Sequence, residues 1–242
     1  MSISLKDSLT VVIPTYNEVG YISETLASLY KQDGVDGLRV IIADGGSTDE
    51  TRTHVELLSK LMFPKLIIQL IDGGKVAYGR NEGSKYAITK YILFLDADST
   101  LPNKNNLLYN IRIMEKKNLD LLTCRIKAKG SSIRAKLVFG TFNIINKIIS
   151  INTPFAVGGY FMTRRYKFFN YGKFDESLSN SEDYWLSKFY NPKKFHISKM
   201  KYEQDDRRFK KTGYIKMLKL MVKNYINRDN IEYFKQDVGY WD

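Results

Sequence analysis

The sequence predicts an α/β fold in which helices cover a mostly parallel sheet. Short apolar runs alternate with helical patterns over the first ~100 residues, and polar clusters follow three of these runs. Such alternation is typical of βαβ units, which build parallel sheets. In open α/β sheets, ligands bind at the carboxyl ends of the strands. The three polar clusters are therefore expected to meet in one crevice.

The elements follow in a regular order along the chain. The first part predicts strands at residues 9–13, 38–43, 66–71 and 91–95, and helices at residues 18–30, 49–61 and 76–87. The later part predicts a helix at 105–116, a strand at 120–128, a long amphipathic segment at 131–151, a glycine-rich strand at 155–163, a helix that opens at 180–183, a strand at 195–200 and a basic C-terminal helix. No repeat or linker separates the two parts, so we expect one domain over residues 1–242 with a shared sheet.

Length and composition fit one enzyme-sized unit. The chain has 242 residues and is 43% hydrophobic, which is enough for one substantial core. The 38 Lys and Arg residues against 26 Asp and Glu give a net charge of +12, which favours anionic partners. Nucleic acid, phospholipid headgroups and a diphosphate ligand would all be attracted, and a solvated surface needs no partner. Charge alone does not choose among them.

A lone cysteine and the N-terminal sequence bear on location. Cys124 on its own cannot form an intramolecular disulfide or a zinc site of several cysteines, which indicates a reducing compartment. The N-terminus lacks the pattern of a signal peptide, and no stretch reaches the ~20 apolar residues that span a bilayer. We therefore expect a cytoplasmic protein that neither is secreted nor crosses a membrane.

The fourth strand runs into two acids, Asp96 and Asp98, with Ala97 between them. In an extended strand these carboxylates would face opposite sides, so they can serve one cation only if the chain turns there. Hard oxygen ligands suit Mg²⁺ or Mn²⁺, which can neutralise a departing diphosphate. The alternative is that the two acids merely end the strand and cap a turn.

The second strand ends at Asp44, which precedes two glycines. Glycine allows a ligand to come close to the backbone, and a carboxylate there could accept the imide N–H of a uracil ring. A plain turn aspartate is the alternative. Ser47, Thr48 and Asp49 are assigned to capping the next helix.

The first strand ends at Pro14, which terminates ladder pairing and fixes the exit of the chain. Tyr16 could stack on a base or simply pack, and Thr15 could offer its hydroxyl or backbone to a nucleoside. Glu18 could cap the next helix or reach a ribose hydroxyl. The residues themselves leave each pair of roles open.

Five motifs in order resemble family 2 glycosyltransferases, the inverting GT-A group. They are PTYNE at 14–18, ADGGSTDET at 43–51, GRNEG at 79–83, FLDADS at 94–99 and NSED at 180–183. The resemblance covers roughly residues 9–190. It implies a GT-A, Rossmann-like three-layer α/β/α sandwich with a nucleotide-binding half at about 1–100, an acceptor-binding half at about 101–210 and a basic helical tail at about 211–242.

The resemblance also implies roles for individual residues around a nucleotide-sugar donor. Asp98 would ligate the metal, and Asp96 would approach the ribose or the metal's water, so it is the second candidate ligand. The residues expected to contact the nucleotide-sugar are Pro14, Thr15, Tyr16, Glu18, Asp44, Arg80, Asn81, Asp96 and Ala97.

Asp183 is the residue expected to act as the general base. By resemblance it would take the proton of the acceptor hydroxyl as that oxygen attacks the anomeric carbon, while Glu182 orients the acceptor. The metal and Arg80 would stabilise the leaving group. The alternative is that Glu182 and Asp183 are first-turn acids favoured by the helix dipole.

The expected reaction is a hexosyl transfer. The sugar would move from a nucleoside diphosphate, preferably UDP, to a hydroxyl of a glycan, lipid-linked or surface-polymer acceptor, with Mn²⁺ or Mg²⁺ as cofactor. The stretch at 205–209 resembles an acceptor-side segment but departs from the Gln-x-x-Arg-Trp motif of processive synthases, which favours transfer of single sugars. Some GT-A enzymes supply a late histidine to the metal, but one histidine on a strand is more often structural, so His196 is not assigned as a ligand.

Two basic amphipathic segments raise the question of a membrane. Residues 131–151 and the lysines at 216, 219 and 223 mix basic and apolar side chains, a pattern that can lie on the inner face of an anionic membrane. Burial of these apolar faces in the protein's own core is the favoured interpretation, and peripheral membrane association is the alternative.

Two other function classes are alternatives to a glycosyltransferase. A nucleotidyltransferase should carry a glycine-rich basic loop after its first strand, where this chain has Pro-Thr-Tyr-Asn-Glu. A non-catalytic or nucleic-acid-binding relative would use the positive charge and would bind with steep salt dependence. No helix-turn-helix, ribonucleoprotein or zinc-finger pattern occurs, so nucleic acid is not an expected partner.

Overall fold

The computed structural model describes residues 3–130 and 132–236, and its centre is one eight-stranded sheet. The chain forms the strands β1 (Leu9–Thr15), β2 (Leu38–Asp44), β3 (Leu66–Asp72), β4 (Tyr91–Phe94), β5 (Ser99–Thr100), β6 (Leu121–Ala128), β7 (Phe161–Arg164) and β8 (Phe195–Gln204). Their spatial order is β3-β2-β1-β4-β7-β6-β8-β5. Both parts of the sequence therefore contribute to the same sheet.

The sheet is mixed but mostly parallel. Strands β3, β2, β1 and β4 run parallel to one another, and β6 runs parallel to β8. Strand β7 is antiparallel to both β4 and β6, and the short β5 is antiparallel to β8. The parallel part matches the βαβ units that the alternation of apolar runs predicts.

Helices cover both faces of the sheet. They are α1 (Leu5–Ser8), α2 (Ile22–Tyr30), α3 (Thr51–Leu61), α4 (Val76–Lys85), α5 (Asn106–Lys116), α6 (Ile133–Ile149), α7 (Arg165–Asn170), α8 (Glu182–Ser187), α9 (Arg207–Thr212), α10 (Tyr214–Ile226) and α11 (Ile231–Lys235). Val11 and Ile13 of β1 pack into one core with helices that include α2, α3 and α5, whereas Val12 packs into a second core with α4, α7 and α8. Because successive strand residues face opposite sides, this is the expected three-layer α/β/α sandwich.

Several element boundaries differ from those predicted. Helix α2 begins at Ile22 rather than at 18, because residues 16–21 form the turn that leaves β1. The predicted strand at 155–163 is wrong over most of its length: Gly158–Tyr160 forms a 3-10 turn, and only Phe161–Arg164 joins the sheet. The basic C-terminal helix is three helices, with Gly213 at a φ of 90° between α9 and α10.

The two amphipathic segments are only half covered. Helix α6 buries Ala135, Val138 and Phe139, and α10 buries Met217, but large apolar side chains on the outer side of both helices are exposed. The interpretation that the protein's own core covers these faces is therefore wrong for their outer sides. Residue 131 of the predicted segment and residues 1–2 and 237–242 of the predicted domain lie outside the described residues.

Candidate active site

The predicted polar clusters meet at the carboxyl ends of three adjacent strands. Strand β1 lies between β2 and β4, and Thr15 is in register with Asp44 at their common edge. The chain leaves β4 at this same edge and reaches Asp96 within two residues. The parallel order of the strands therefore brings all three clusters to one crevice, as the sequence predicts.

Asp44 is the last residue of β2, and its buried carboxylate organises the following turn. Oδ2 accepts the backbone N–H groups of Gly46 at 3.2 Å and Ser47 at 3.1 Å, while Oδ1 accepts the Ser47 hydroxyl at 2.5 Å. Arg52 of α3 adds an ion pair at 3.3 Å. Asp44 holds the loop shape in addition to any contact with a base.

The exit of β1 presents one exposed aromatic ring. Tyr16 is 58% exposed, whereas Pro14 and Thr15 are buried in the strand. The Thr15 hydroxyl donates to the carbonyl of Ile13 at 3.3 Å, and its own carbonyl accepts the N–H of Gly45 at 2.7 Å. Tyr16 is thus placed to stack, while Thr15 joins β1 to the loop after Asp44.

Arg80 lies at the centre of the site and joins two acidic motifs. Its Nη1 donates to Glu182 Oε1 at 2.5 Å, and its Nη2 donates to Asp96 Oδ1 at 2.7 Å. The guanidinium is buried and lies over the ring of Phe174, 5.2 Å from its centroid. Burial lowers the pKa of Arg80, but Asp96 and Glu182 outweigh it and raise the pKa above its usual range. Arg80 is therefore a fixed cation at pH 7.

Helix α4 carries Arg80 into the centre because one of its faces is narrow. A Cβ atom at Gly83 would lie 2.4 Å from Cγ1 of Val12 on β1, so glycine lets the helix approach the sheet closely.

Asn81, the residue after Arg80, makes hydrogen bonds to the segment around Phe174. Its amide donates to the Phe174 carbonyl at 2.9 Å and to Glu176 at 2.7 Å, and its oxygen accepts the Phe174 N–H at 3.0 Å. Asn81 fastens the segment that supports Arg80.

Asp96 and Asp98 both face the site, because the chain turns after β4. The Asp96 carbonyl accepts the N–H of Ser99 at 3.0 Å, and the Ala97 carbonyl accepts the hydroxyl of Thr25 at 2.7 Å. Asp96 remains partly exposed with its side chain 29% accessible, and Asp98 is buried. Ala97 is buried and contacts α2, so its contribution to the site is to fix the turn between the two acids.

A cation that the sequence did not assign joins two of the acids. Arg207 of α9 donates to Glu18 and lies 3.1 Å from Asp98 Oδ2. The basic stretch at 205–209 is the only signal for it in the sequence. The end of β8 pairs with β5, which follows directly after Asp98. Helix α9 begins just after β8, so Arg207 lies beside Asp98 and beside Glu18, a residue nearly two hundred positions earlier in the chain. No local pattern encodes that approach.

Arg207 does not fully compensate the negative charge of the two acids beside it, Glu18 and Asp98. Burial raises the pKa of Glu18 against the opposing effect of Arg207, and burial together with Asp96 raises the pKa of Asp98. The second carboxylate oxygen of Glu18, Oε2, is buried and has no hydrogen-bond partner among the described residues. A bound divalent cation would relieve this repulsion, so the donor set fits Mg²⁺ or Mn²⁺.

A metal site here would need oxygen atoms from the substrate. Within residues 3–130 and 132–236, no three His, Cys, Asp or Glu side chains are grouped to hold a metal. Mg²⁺ commonly takes one or two carboxylates and completes its shell with waters and substrate phosphates. Asp98 and Asp96 are the candidate carboxylates. His196 lies near the start of β8, and it is not grouped with Asp96 and Asp98 as a metal ligand.

Asp183 faces the site from the first turn of α8. Its Oδ2 accepts the N–H of Gly158 at 2.6 Å, and Oδ1 accepts the N–H of Tyr184 at 2.7 Å. Burial and the adjacent Glu182 raise the pKa of Asp183 to about 7, while Arg80 opposes them. Ser181, immediately before the two acids, has a φ of 61°, a strained conformation that is frequent at functional sites.

The structure thus brings together most of the residues predicted for the site. Arg80 connects Asp96 of the strand-end pair to Glu182, the neighbour of Asp183, and Arg207 connects Asp98 to Glu18. Asp44, Thr15 and Tyr16 lie at the neighbouring strand ends. Asn81 and Ala97 belong to the supporting framework.

Comparison with known structures supports the fold. The Staphylococcus aureus TarS fragment 1–349 in complex with UDP-GlcNAc matches with a TM-score of 0.63 and 24% identity, over 82% of this chain and 58% of that one. The mannosyltransferase PcManGT of Pyrobaculum calidifontis, in complex with GDP-Man and Mn²⁺, matches with a TM-score of 0.65 and 20% identity, over 84% and 59%. These likenesses confirm the predicted GT-A architecture.

Sequence comparison identifies the family. A Methanococcus voltae enzyme, dolichyl N-acetyl-α-D-glucosaminyl phosphate 3-β-D-2,3-diacetamido-2,3-dideoxy-β-D-glucuronosyltransferase, is 28% identical over 186 residues, 70% of this chain and 53% of that enzyme. Among the curated relatives it matches, the chain spans between 13% and 53% of their length. The profile of glycosyl transferase family 2 matches residues 10–172, more than half of the chain. The chain therefore belongs to glycosyl transferase family 2.

Proposed function

We propose that the chain transfers a sugar from a nucleoside diphosphate to an acceptor hydroxyl with inversion at the anomeric carbon. The observation that carries the proposal is the bridge made by Arg80, which joins Asp96 on the strand-end side to Glu182 beside Asp183. A reaction between a donor and an acceptor needs both halves of a site held in one geometry. Arg80 supplies that connection with a permanent positive charge.

In the proposed reaction, Asp183 is the general base. Its carboxylate accepts the proton of the acceptor hydroxyl while that oxygen bonds to the anomeric carbon, and the bond from this carbon to the diphosphate oxygen breaks. A pKa raised to about 7 suits a base that works near neutral pH. The N–H of Gly158 holds the carboxylate in place, and Glu182 orients the acceptor from the same helical turn.

On the donor side, Tyr16 and Asp44 would contact the base, and Glu18 and Asp96 would lie near the ribose. Asp98, with Asp96, would hold a divalent cation, Mn²⁺ or Mg²⁺, which when bound neutralises the negative charge of the departing diphosphate. Arg80 adds positive charge on the same side. We propose UDP as the carrier, supported by the position of Asp44 at the strand tip and by the UDP-GlcNAc complex of TarS.

The proposed acceptor is a glycan, a lipid-linked sugar or a surface polymer. The Methanococcus voltae relative is named for transfer to dolichyl N-acetyl-α-D-glucosaminyl phosphate, which favours a lipid-linked acceptor for this chain as well. We propose a cytoplasmic location on the evidence of the lone Cys124. In the described part of the chain, every helix is too short or too polar to cross a bilayer.

The direct test is release of nucleoside diphosphate from a panel of UDP-, GDP- and dTDP-sugars with Mn²⁺ or Mg²⁺. Wild type is compared with Asp183→Asn and Asp98→Ala, and with Asp36→Asn as a surface acid control. We expect turnover of one donor that needs metal, disappears in the first two variants and persists in the control. Failure to bind any of these donors, measured by calorimetry, would refute the proposal.

A further inference from the structure

Two helices expose apolar faces that the protein's own core leaves uncovered. On α6, Ile133 is 74% exposed, and on α10, Ile215 is 73% exposed. Each is the first of a stripe with helical spacing, so that the apolar side chains share one side of their helix. The stripes consist of Ile133, Leu137, Ile144 and Ile148 on α6, and of Ile215, Leu218, Val222 and Ile226 on α10.

The two helices begin side by side. The hydroxyls of Ser132, which caps α6, and Tyr214, the first residue of α10, lie 3.4 Å apart. Phe139 of α6 packs edge-on against Phe209 of α9, with 5.5 Å between the ring centroids. The outer faces of α6 and α10 are therefore parts of one region of the molecule, which we call the outer helical face.

The charge on this face has a single sign. Neither α6 nor α10 contains an Asp or Glu, and no acidic residue occurs anywhere between Asp120 and Asp175. Exposed basic side chains alternate with the apolar stripes: Arg134, Lys136 and Lys147 on α6, and Lys216, Lys219 and Lys223 on α10. Exposed isoleucines surrounded by lysines fit a partner that has an apolar layer to cover the isoleucines and a negatively charged layer to pair with the lysines.

A bilayer with anionic headgroups has this layered chemistry. Its acyl boundary can cover the isoleucines while its headgroups pair with the lysines. A second copy of this chain could cover the apolar stripes but would bring lysines against lysines, and like charges disfavour that contact. A nucleic acid would pair with the lysines but would leave the isoleucines in water. The observations therefore favour the lipid surface.

We propose that the outer helical face docks on the surface of an anionic phospholipid bilayer. This inference goes beyond the proposed reaction and does not depend on it. Docking would act close to the site, because Asn224 of α10 donates to Asn180 at 3.2 Å, and α9 carries Arg207 to Asp98. The crevice would lie beside the membrane, where a lipid-linked acceptor is found.

The test is co-sedimentation of the full chain with phosphatidylcholine vesicles that contain or lack phosphatidylglycerol. We expect binding to the anionic vesicles that is at least about tenfold stronger than to the neutral ones and that weakens with salt. One variant, Ile215→Ser with Ile226→Ser, removes apolar side chains from the face. A second variant, Lys216→Gln with Lys219→Gln and Lys223→Gln, removes positive charge. Each set should weaken binding by at least about tenfold.

Matched controls separate the face from general surface properties. Ile88→Ser changes an isoleucine that is also 73% exposed but lies after α4. Lys60→Gln with Lys116→Gln and Lys117→Gln removes three exposed lysines elsewhere on the surface. The controls should bind vesicles as wild type does, and all variants should keep the wild-type circular dichroism spectrum. That spectrum shows that the variants fold, and it is independent of both the vesicle result and the proposed reaction.

Three outcomes would overturn the proposal. The first is failure of wild type to bind anionic vesicles at low salt. The second is an equal loss of binding in the Ile88 control. The third is a dimer, detected by light scattering, that the Ile215 and Ile226 substitutions dissociate without changing vesicle binding. Each of these results would assign the outer helical face to something other than a membrane.

Discussion

Arg80 and Glu182 are separated by 102 positions in the chain and form a buried ion pair of 2.5 Å. Removing the Arg80 cation would leave the neighbouring carboxylates of Glu182 and Asp96 without the positive charge that pairs with both. We predict that Arg80→Met lowers the free energy of unfolding by about 3 kcal/mol, which is typical when one partner of a buried ion pair is lost. Chemical denaturation at pH 7 measures this.

A surface arginine provides the control for this prediction. Arg228 pairs with Asp229, whose side chain is 70% exposed, so Arg228→Met should cost no more than about 1 kcal/mol. The double variant Arg80→Met with Glu182→Gln should be more stable than the sum of the two single changes predicts, because it removes an uncompensated carboxylate. Additive losses would show that the two side chains do not interact.

Gly158 is held against the same guanidinium. A Cβ atom at this position would lie 2.4 Å from Nη2 of Arg80, and the Gly158 N–H supports Asp183. We predict that Gly158→Ala lowers kcat about 100-fold, since a displacement of about 1 Å in a catalytic constellation has such an effect. Steady-state kinetics of donor turnover measures it.

Gly140→Ala is the matched change. Nothing lies within 4 Å of a Cβ atom at Gly140, which is an exposed position of α6, so this variant should keep wild-type kcat. Its helix should be slightly more stable, by up to about 1 kcal/mol. Equal activity of both alanine variants would mean that the space around Gly158 is not needed for the reaction.

The sequence predicted the strand-end residues well because their positions follow from one rule. Parallel strands in βαβ units place their carboxyl ends at one edge, so Asp44, Asp96 and Asp98 had to converge. The long-range contacts of Arg80 and Arg207 follow no such local rule. They depend on where α8 and α9 pack, which the whole sheet determines.

Two further features have the same origin. The resemblance implies that Asn81 contacts the nucleotide-sugar, and the structure adds that its amide donates to Phe174 and Glu176. The predicted strand at 155–163 is mostly a 3-10 turn, and the approach of Gly158 to Arg80 shows why glycine is needed there. In both cases a distant packing partner decides the local conformation.

The proposed metal site gives the next prediction. Asp98 is buried beside Asp96, and both burial and this neighbour raise its pKa. We predict that Asp98→Ala weakens Mn²⁺-dependent UDP binding by at least about tenfold. Loss of a residue that only supports a metal ligand already has an effect of about this size, so loss of a ligand itself should have at least as large an effect. Calorimetric titration of UDP in Mn²⁺ and in EDTA measures this, and EDTA should reduce wild type to the level of the variant.

Asp36→Asn is the control, because Asp36 is a surface acid that pairs only loosely with Lys65 at 3.6 Å. Its UDP affinity should stay within about twofold of wild type in Mn²⁺. The raised pKa of Asp98 also gives a direction with pH: protons compete with the metal, so the advantage of Mn²⁺ should shrink as the pH falls. Wild-type binding that is indifferent to EDTA would contradict this assignment.

The pKa of Asp183 sets the expected pH profile. Burial and Glu182 raise it to about 7, so the carboxyl group is protonated below that pH and cannot act as a base. We predict that kcat/KM rises about tenfold per pH unit below pH 7 and levels above it. Asp183→Asn should lower kcat/KM by about 10²- to 10⁴-fold and remove this rise.

Stability should change in the opposite sense, which separates the catalytic role from a structural one. Because the folded state binds the Asp183 proton more tightly than the unfolded state, wild type loses stability as the pH rises from about 4 to about 7. Asn does not titrate, so the free energy of unfolding of Asp183→Asn should not show this fall between pH 4 and pH 7. A variant whose stability falls with pH as that of wild type does would show that Asp183 is not the group that binds this proton.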